Sequence, residues 1–542
     1  MARAPRKTLT PVQPIGQSAI GGGLEGAERT SRETVSWQPA IISPDQQINP
    51  LKEMADARAR DSVQNDGYAM GAVYTHRDSI VGSQYRLNAQ PDFEALGATQ
   101  EWAEEFQRVV ESRFNLIADS PECWLDASRM NTLTGLIRLS VGGFLMTGEV
   151  LGTAEWLRAA NRPCSTAIQM ISPSRLSNPD GKADDRYLRR GVVRDFFGAP
   201  QGHWIRSSHP GDFTFFDDSA YVWRFVPAMK PWGRRQVLHI VEQLQPDQTR
   251  GVADMVSVLK QMRMTKKFQD VTLQNAVVNA SYAAAIESEL PREVVFGSMG
   301  VGQAGFGDML GQYLTQLQAY SGNSDNIAID GVKMPHLFPG TKLSLKPMGT
   351  PGGVGTEFEE SLLRHVAAAL GLSYEQFSRD YSKTNYSSAR ASMSETWKFM
   401  QSRKKVVADR MATMIYTLWL EEDLNAGNLP LPKGMGSEIF YDPVKREALT
   451  NCDWIGASRG QIDELKETQA AVMRINSGLS TYEKECARLG EDFRRIFKQA
   501  AREKRMMAEL DLTFGTDATK PGHNDAQQTM DESDKRPAKE AA

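Results

Sequence analysis

Residues 378–397 read SRDYSKTNYSSARASMSETW. Within them Arg379, Tyr381, Lys383, Asn385, Tyr386 and Arg390 stand in a bed of Ser, Thr and Asn. Guanidinium and ammonium groups bond phosphate oxygens, and hydroxyls and amides add weaker contacts that read no base sequence. A short mixed segment of this kind offers a shallow contact with something long and negative. An exposed linker would have the same composition. A second cationic series, Lys260, Arg263 and Lys267, recurs at i, i+3 and i+7 and would line one face of a helix. Beside it runs an apolar series, Met255, Val258, Leu259 and Met262. A solvated helix face would look alike.

Other chemistries find no support. Gly300-Val-Gly302-Gln-Ala-Gly305 matches G-x-G-x-x-G, and Asp325 stands near where a ribose-binding acid would lie. Gly297, Gly307 and Gly311 crowd the same stretch, and no alternation of strands and helices surrounds it, so it reads as a flexible loop. No phosphate-binding P-loop pattern and no G-x-S-x-G elbow occurs. His76, His203, His209, His239, His336, His365 and His523 stand apart, without metal-ligand spacing, and read as surface or satisfied core residues. Ser402 and Lys405 form S-x-x-K within SRKK, which reads as a solvated face. No catalytic residue, metal or cofactor is expected.

At 542 residues the chain should form two to four structural units. Hydrophobic residues at 40% and charged residues at 24% are ordinary for a core-forming protein. The formal net charge of −4 means that any nucleic-acid contact must be local. Cys123, Cys164, Cys452 and Cys486 are scattered, which fits a reducing compartment. Arg3, Arg6 and Lys7 are followed by no apolar run, so no secretory signal is expected. MATMIYTLWL at 411–420 is too short to span a bilayer and reads as a buried helix of a soluble protein.

These residues must be positioned by a run of helices followed by short strands, the α+β class. Residues 51–82 and EWAEEFQRVVESRFN have helical period, whereas EVLGTAEWL, AIQMISP, GVVRDFFG and AYVWRFVPA are strand-like. A long helix is expected around 251–280, and Asp330-Gly331 signals a hairpin. Phe358, Leu362, Val366 and Leu370 stack on a helix that Gly371 can end in a left-handed cap. Ser373 with Gln376 then restarts a brief helical turn. A long helix is expected over 388–423 and two more after NCDWIG. Gly478 would end the first of these, and Ser480 with Glu483 would cap a second running through STYEKECARLGEDFRRIFKQAAREKRMM. Residues 1–40 read as a disordered arm and 511–542 as a disordered tail.

Several strings resemble the portal proteins of tailed bacteriophages, specifically the lambda-like family. They are NDGYAMGAVYTHRDSIVGSQYRL (65–87), MISPSRLSNPD (170–180), HIVEQLQPDQTRGVADMVSVLKQM (239–262), ASYAAAIESEL (280–290), SLLRHVAAALGLSYEQFSRDYSKTNYSSARAS (361–392), NCDWIGASRGQIDELKE (451–467) and GLSTYEKECARLGEDF (478–493). The resemblance implies an elongated multi-part fold with a mixed α/β wing, long stem and channel helices and a small clip. Residues 41–250 would be the wing, 251–280 a stem helix, 281–355 the clip and 356–372 the returning stem helix. Residues 373–390 would be the tunnel loop, 391–454 the long helix and rest of the wing, and 455–510 crown-like helices.

The resemblance further implies a homododecameric ring at one capsid vertex of the virion, assembled in the host cytoplasm and without membrane contact. Double-stranded DNA would be packaged and ejected through its channel without sequence preference. The terminase large subunit and then the head–tail adaptor would dock at the clip, and the major capsid protein would surround the wing. The tunnel loop would then place Arg379, Tyr381, Lys383, Asn385, Tyr386 and Arg390 at the DNA, with Lys260, Arg263 and Lys267 as a possible stem lining. The Met and Leu residues beside that stripe would pack against the adjacent subunit, and Trp397, Phe399 and MIYTLWL would be core or interface. A minor capsid or scaffolding protein without a channel is the rival structural reading, and a dinucleotide-binding enzyme using Gly300–Gly305 the other.

Overall fold

A computed structural model of the chain describes residues 34–212, 219–281, 355–460 and 463–510, besides 27, 32, 311, 315, 327–329 and 332–334. The expected arm, tail and clip lie for the most part outside these residues, as does Gly300–Gly305 entirely.

The first helices are split by one side chain. Helix α1 (Lys52–Asn65) stops at Asp66, whose carboxylate accepts from the Tyr68 and Ala69 amides and so caps α2 (Gly67–Ile80). Strand β1 (Arg86–Ala89), α3 (Gln100–Ala118) and α4 (Leu133–Thr147) follow. Gly148, at φ 72°, turns α4 into β2 (Glu149–Trp156), and a Cβ there would lie 2.2 Å from the Val252 carbonyl carbon.

Strand β2 is the centre of an antiparallel sheet, between β3 (Thr166–Ile171) and β8 (Val237–Val241). Leu151 faces Ile171 on one side and His239 on the other. A second antiparallel sheet runs β4 (Leu188–Arg189), β5 (Val192–Arg194), β6 (Pro200–Arg206), β7 (Trp223–Pro227). Leu151, Ile171, Leu176, Val192, Ile205 and Val237 make a small apolar core shared by the two sheets. Further on, β9 (Ile327–Ile329) and β10 (Val332–Met334) pair antiparallel, in keeping with the hairpin signal.

The long helix after 251 starts later than its sequence period indicates. Residues 254–257 form a 3₁₀ turn, and α5 runs Leu259–Ser281. Met255, Val258 and Met262 are buried in this chain's own main core, which corrects the expectation that the series faces an adjacent subunit. Helix α5 meets α6 (Gly355–Ala369) through Phe268 edge-on to Phe358 and a 2.5 Å bond from the Gln269 amide to Glu359. Gly371 ends that region at φ 66°, where a Cβ would meet the Phe399 ring at 2.4 Å. Ser373 caps α7 (Tyr374–Ser378) by accepting from the Gln376 amide.

The helix expected over 388–423 has three parts. Helix α8 (Tyr386–Arg403) passes through a π turn (Lys404–Asp409) into α9 (Arg410–Asn425). Asp409 accepts from the Tyr85 hydroxyl and from Lys404, whose ammonium also donates to the Trp454 carbonyl at 2.8 Å. Partners distant in sequence thus hold the extra residue of the π turn in place. Arg403 and Lys404 are mostly buried, Arg403 against Glu242 and Asp254, so SRKK as a whole is not a solvated face, although Ser402 and Lys405 are exposed. Helix α9 buries Met411, Ile415 and Trp419, with Phe114 of α3 edge-on to Tyr416 and Trp419.

After α10 (Pro443–Thr450), β11 (Cys452–Ile455) returns to pair with β1. The C-terminal region is α11 (Glu464–Asn476), α12 (Tyr482–Arg488) and α13 (Phe493–Glu509). Glu485 on α12 bonds Arg474 of α11 at 2.8 Å and Arg488 at 2.8 Å. Its carboxyl is pulled down to about 2, chiefly by the Arg474 bond. The single helix expected from Ser480 is two: Thr481 caps the first, Gly490 at φ 79° breaks it, and Asp492 caps the second.

Candidate nucleic-acid interface

Residues 373–390, expected as a tunnel loop, do not form one loop. Helix α7 occupies its start and the first turns of α8 its end, leaving residues 379–385 as a turn. Arg379 adopts the left-handed conformation, φ 60°, as the C-cap of α7, and its guanidinium donates to the Thr75 hydroxyl at 3.1 Å. Asp380 accepts from the Ser382 amide at 2.9 Å, which folds the chain back on itself. Tyr381, at the tip, is 53% exposed.

Lys383 is exposed but not isolated. Its ammonium lies 2.5 Å from Glu360 of α6, whose other oxygen accepts from Arg364 at 3.1 Å. The Glu360 hydrogen bond, and then its charge, hold the Lys383 ammonium above its usual pKa. Lys383 therefore stays cationic across physiological pH while part of its field is matched locally. A phosphate approaching it competes with a carboxylate already in place, which weakens the attraction.

Asn385 is the N-cap of α8: its side-chain oxygen accepts from the Ser388 amide at 2.9 Å, and Ser388 reciprocates to the Asn385 amide. Tyr386 opens α8, and its side chain lies outside the described residues. Arg390 is exposed on the first turns of α8 and lines a groove of about 650 Å³ with Trp397, Arg459, Asp463 and Lys466. The structure therefore brings Arg379, Tyr381 and Lys383 together on one short turn, with Arg390 removed along the helix.

On α5, Lys260, Arg263 and Lys267 are all exposed, and Arg263 lies 3.9 Å from Asp61 of α1, itself exposed. Between α5 and the end of α7 runs a groove of about 370 Å³, lined by Asn65, Tyr68, Lys266, Gln269, Phe377 and Arg379. Lys266 donates to the Asn65 carbonyl there. Sequence reasoning missed Lys266, Glu360, Arg364 and Thr75. Nothing in the local pattern marks them, because their roles come from helices that meet only in the fold.

Elsewhere, a buried ionic cluster fastens the segment that leads into α5 to strand β2. Arg250 bonds Glu149 with Nε and Nη2, at 2.9 and 2.6 Å, and donates to the carbonyls of Pro173, Leu176 and Arg190. Lys52 lies 3.3 Å from the same carboxylate and His239 3.2 Å. Burial pushes the Glu149 carboxyl up, but Arg250 and then Lys52 more than offset it, leaving it well below the ordinary range. Asp56, bonded to Lys52 at 2.8 Å, is pushed up to about 6 by burial. Among the described residues no group of His, Cys, Asp and Glu could hold a metal ion, and no helix is long and apolar enough to cross a membrane.

The model of the lambda family of phage portal proteins matches residues 30–404. The chain is 38% identical to portal protein B of Escherichia phage lambda over 90% of its own length and 88% of that protein's. It is 39% identical to the portal protein of Escherichia phage N15, over 89% of this chain and 88% of that one. A chain in the neck of an empty gene transfer agent particle shares 11% identity at a TM-score of 0.38, covering 80% of this chain and 93% of that chain, too distant to carry a structural argument. By sequence over nine-tenths of its length, this chain belongs to the lambda family of phage portal proteins.

Proposed function

We propose that the chain forms a homododecameric ring at one capsid vertex, with double-stranded DNA passing through its centre during packaging and ejection. Family membership across 90% of the chain carries this reading. Residues 41–250 are the wing, 251–280 and 356–372 the stem helices, 281–355 the clip and 455–510 the crown. The terminase large subunit and then the head–tail adaptor dock on the clip, and the major capsid protein surrounds the wing.

In this reading the turn at 379–385 faces the bore. A duplex must slide past it, so the contact has to be weak and independent of sequence. Neutralising ~6–10 phosphates shifts affinity by ~10³–10⁵ over a modest salt range, which would act as a brake. Arg379 and Lys383 supply one or two cations per subunit, one of them partly matched by Glu360 at 2.5 Å. The chain's net charge of −4 adds a general repulsion. Lys260, Arg263 and Lys267 line the stem below.

Negative-stain imaging of the purified oligomer tests the ring: a hollow particle with a central hole is expected, and closed or irregular particles would remove the reading. Replacing Arg379 and Lys383 together by Ala should alter packaging or DNA retention while rings still assemble. Unaltered packaging by a normal ring would withdraw the tunnel assignment.

A further inference from the structure

Helix α13 carries a charge pattern that the channel does not use. Arg494, Lys498, Arg502 and Arg505 recur at i, i+4, i+8 and i+11, and Arg495 sits beside them. At 1.5 Å per residue this side of the helix spans about 16 Å. Glu509, in the last turn, is the one acid of α13 on that side. Phe493, Ile496, Phe497, Ala500 and Met507 fall on the opposite side. Phe497 packs edge-on against Tyr482 of α12 and against Phe493, with ring centres 5.7 Å apart in both pairs. The apolar side thus touches α12 through Phe497 but stays partly exposed, Ile496 at 39% and Phe497 at 48%, with Lys504 among it, while Arg495, Lys498 and Arg502 are exposed on the other side.

Among the described residues, only the first of these cations has a carboxylate partner, and Arg505 donates to the Ala501 carbonyl of its own helix. Arg494 donates to Gln107 at 2.6 Å and lies 3.7 Å from Glu111 of α3. Arg495, Lys498 and Arg502 are exposed and have no ion pair among the described residues. A groove of about 540 Å³ beside this face is of mixed charge, with Arg108, Arg494, Arg495 and Lys498 set against Glu111, Asp119 and Asp492. In a chain with more acids than bases, 67 against 63, so concentrated a cationic face costs self-repulsion.

We infer that the basic face of α13 is a second nucleic-acid contact, binding duplex phosphates outside the channel without reading sequence. Guanidinium groups dominate it, and these suit bidentate phosphate contacts. Duplex DNA offers one charge per ~1.7 Å of axis, dense enough to meet several of these cations at once. An anionic membrane surface is the alternative target, since Ile496 and Phe497 on the other side remain partly exposed. The duplex is favoured because the portal reading brings one to this chain, and the vesicle arm of the test separates the two. The identity of the polyanion rests on the portal reading; the site itself rests on the helix.

The test is binding of the full chain to a fluorescent random-sequence duplex across a salt series. If Arg495, Lys498 and Arg502 each meet one phosphate, the variant R495Q/K498Q/R502Q lowers the slope of log affinity against log salt by about 2.7, so the parent loses about 40-fold more affinity between 50 and 200 mM salt. The three side chains are exposed, so unchanged circular dichroism is expected and checks the fold. An unchanged slope in this variant overturns the inference. The same slope measured on R379Q/K383Q reports on the tunnel turn separately, and the ring image reports on the portal reading, so the two can fail independently. Binding to phosphatidylserine vesicles that the triple variant abolishes, with duplex binding intact, would also overturn it.

Discussion

Replacing Arg250 with Met keeps much of the side chain's bulk while removing every donor. Glu149 is fully buried, and Arg250 provides its two-pronged partner; three backbone carbonyls also lose their donor. Lys52 at 3.3 Å and His239 at 3.2 Å remain, so the carboxylate is not stranded outright. Breaking one partner of a buried ion pair typically costs about 3–5 kcal/mol, and a loss in that range is expected here. Because Gly251 also donates to Glu149, the variant should loosen the lead-in to α5 and admit protease there. Urea unfolding followed by tryptophan fluorescence reads the loss as a lower midpoint. The double variant R250M/E149M should recover part of the stability, since paired apolar replacements avoid the stranded charge. A single-variant loss below about 1 kcal/mol, or a double variant no better than the single, would refute the claim that this cluster clamps the lead-in to α5 against the sheet.

Glu360→Gln should free Lys383 and add up to one phosphate contact per subunit, tightening duplex binding and steepening the salt slope by about 0.9; weaker duplex binding would show that Lys383 does not face DNA. His76 is fully buried, bonded to the Leu370 carbonyl at 3.0 Å, and burial lowers its pKa from 6.5 to about 4. In that window the unfolded chain takes up a proton that the folded chain refuses. The neutral ring's contribution is complete above 6.5 and fades as pH falls towards 4, by up to about 3 kcal/mol. His76→Gln should flatten that part of the pH profile of the urea midpoint, and a profile of unchanged shape would count against it.

Local signals were the legible part of the fold. Ser373 and Gly371 sit at the termini their chemistry indicates, and the strand-like runs EVLGTAEWL and AIQMISP became paired strands. Gly490 and Asp492 were equally readable as a break and a cap, but the helical period of the surrounding residues outweighed them. The π turn could not be read, because Tyr85 and Trp454 hold it from far along the chain. The same holds for the Met255, Val258 and Met262 series: its period fixed a helical face but not what covers it. In the turn at 379–385 the residue types were legible. Their partners were not, since Glu360 reaches Lys383 across the gap between α6 and the turn.

The central claim is that a duplex passes the turn carrying Tyr381 and Lys383 without being gripped. Photo-cross-linking from residue 381 in DNA-filled heads tests it most directly. The account predicts adducts spread along the genome's arbitrary sequence, formed with DNA and lost when heads are emptied. Adducts only to capsid protein or to a neighbouring copy of this chain, with none to DNA, would contradict it.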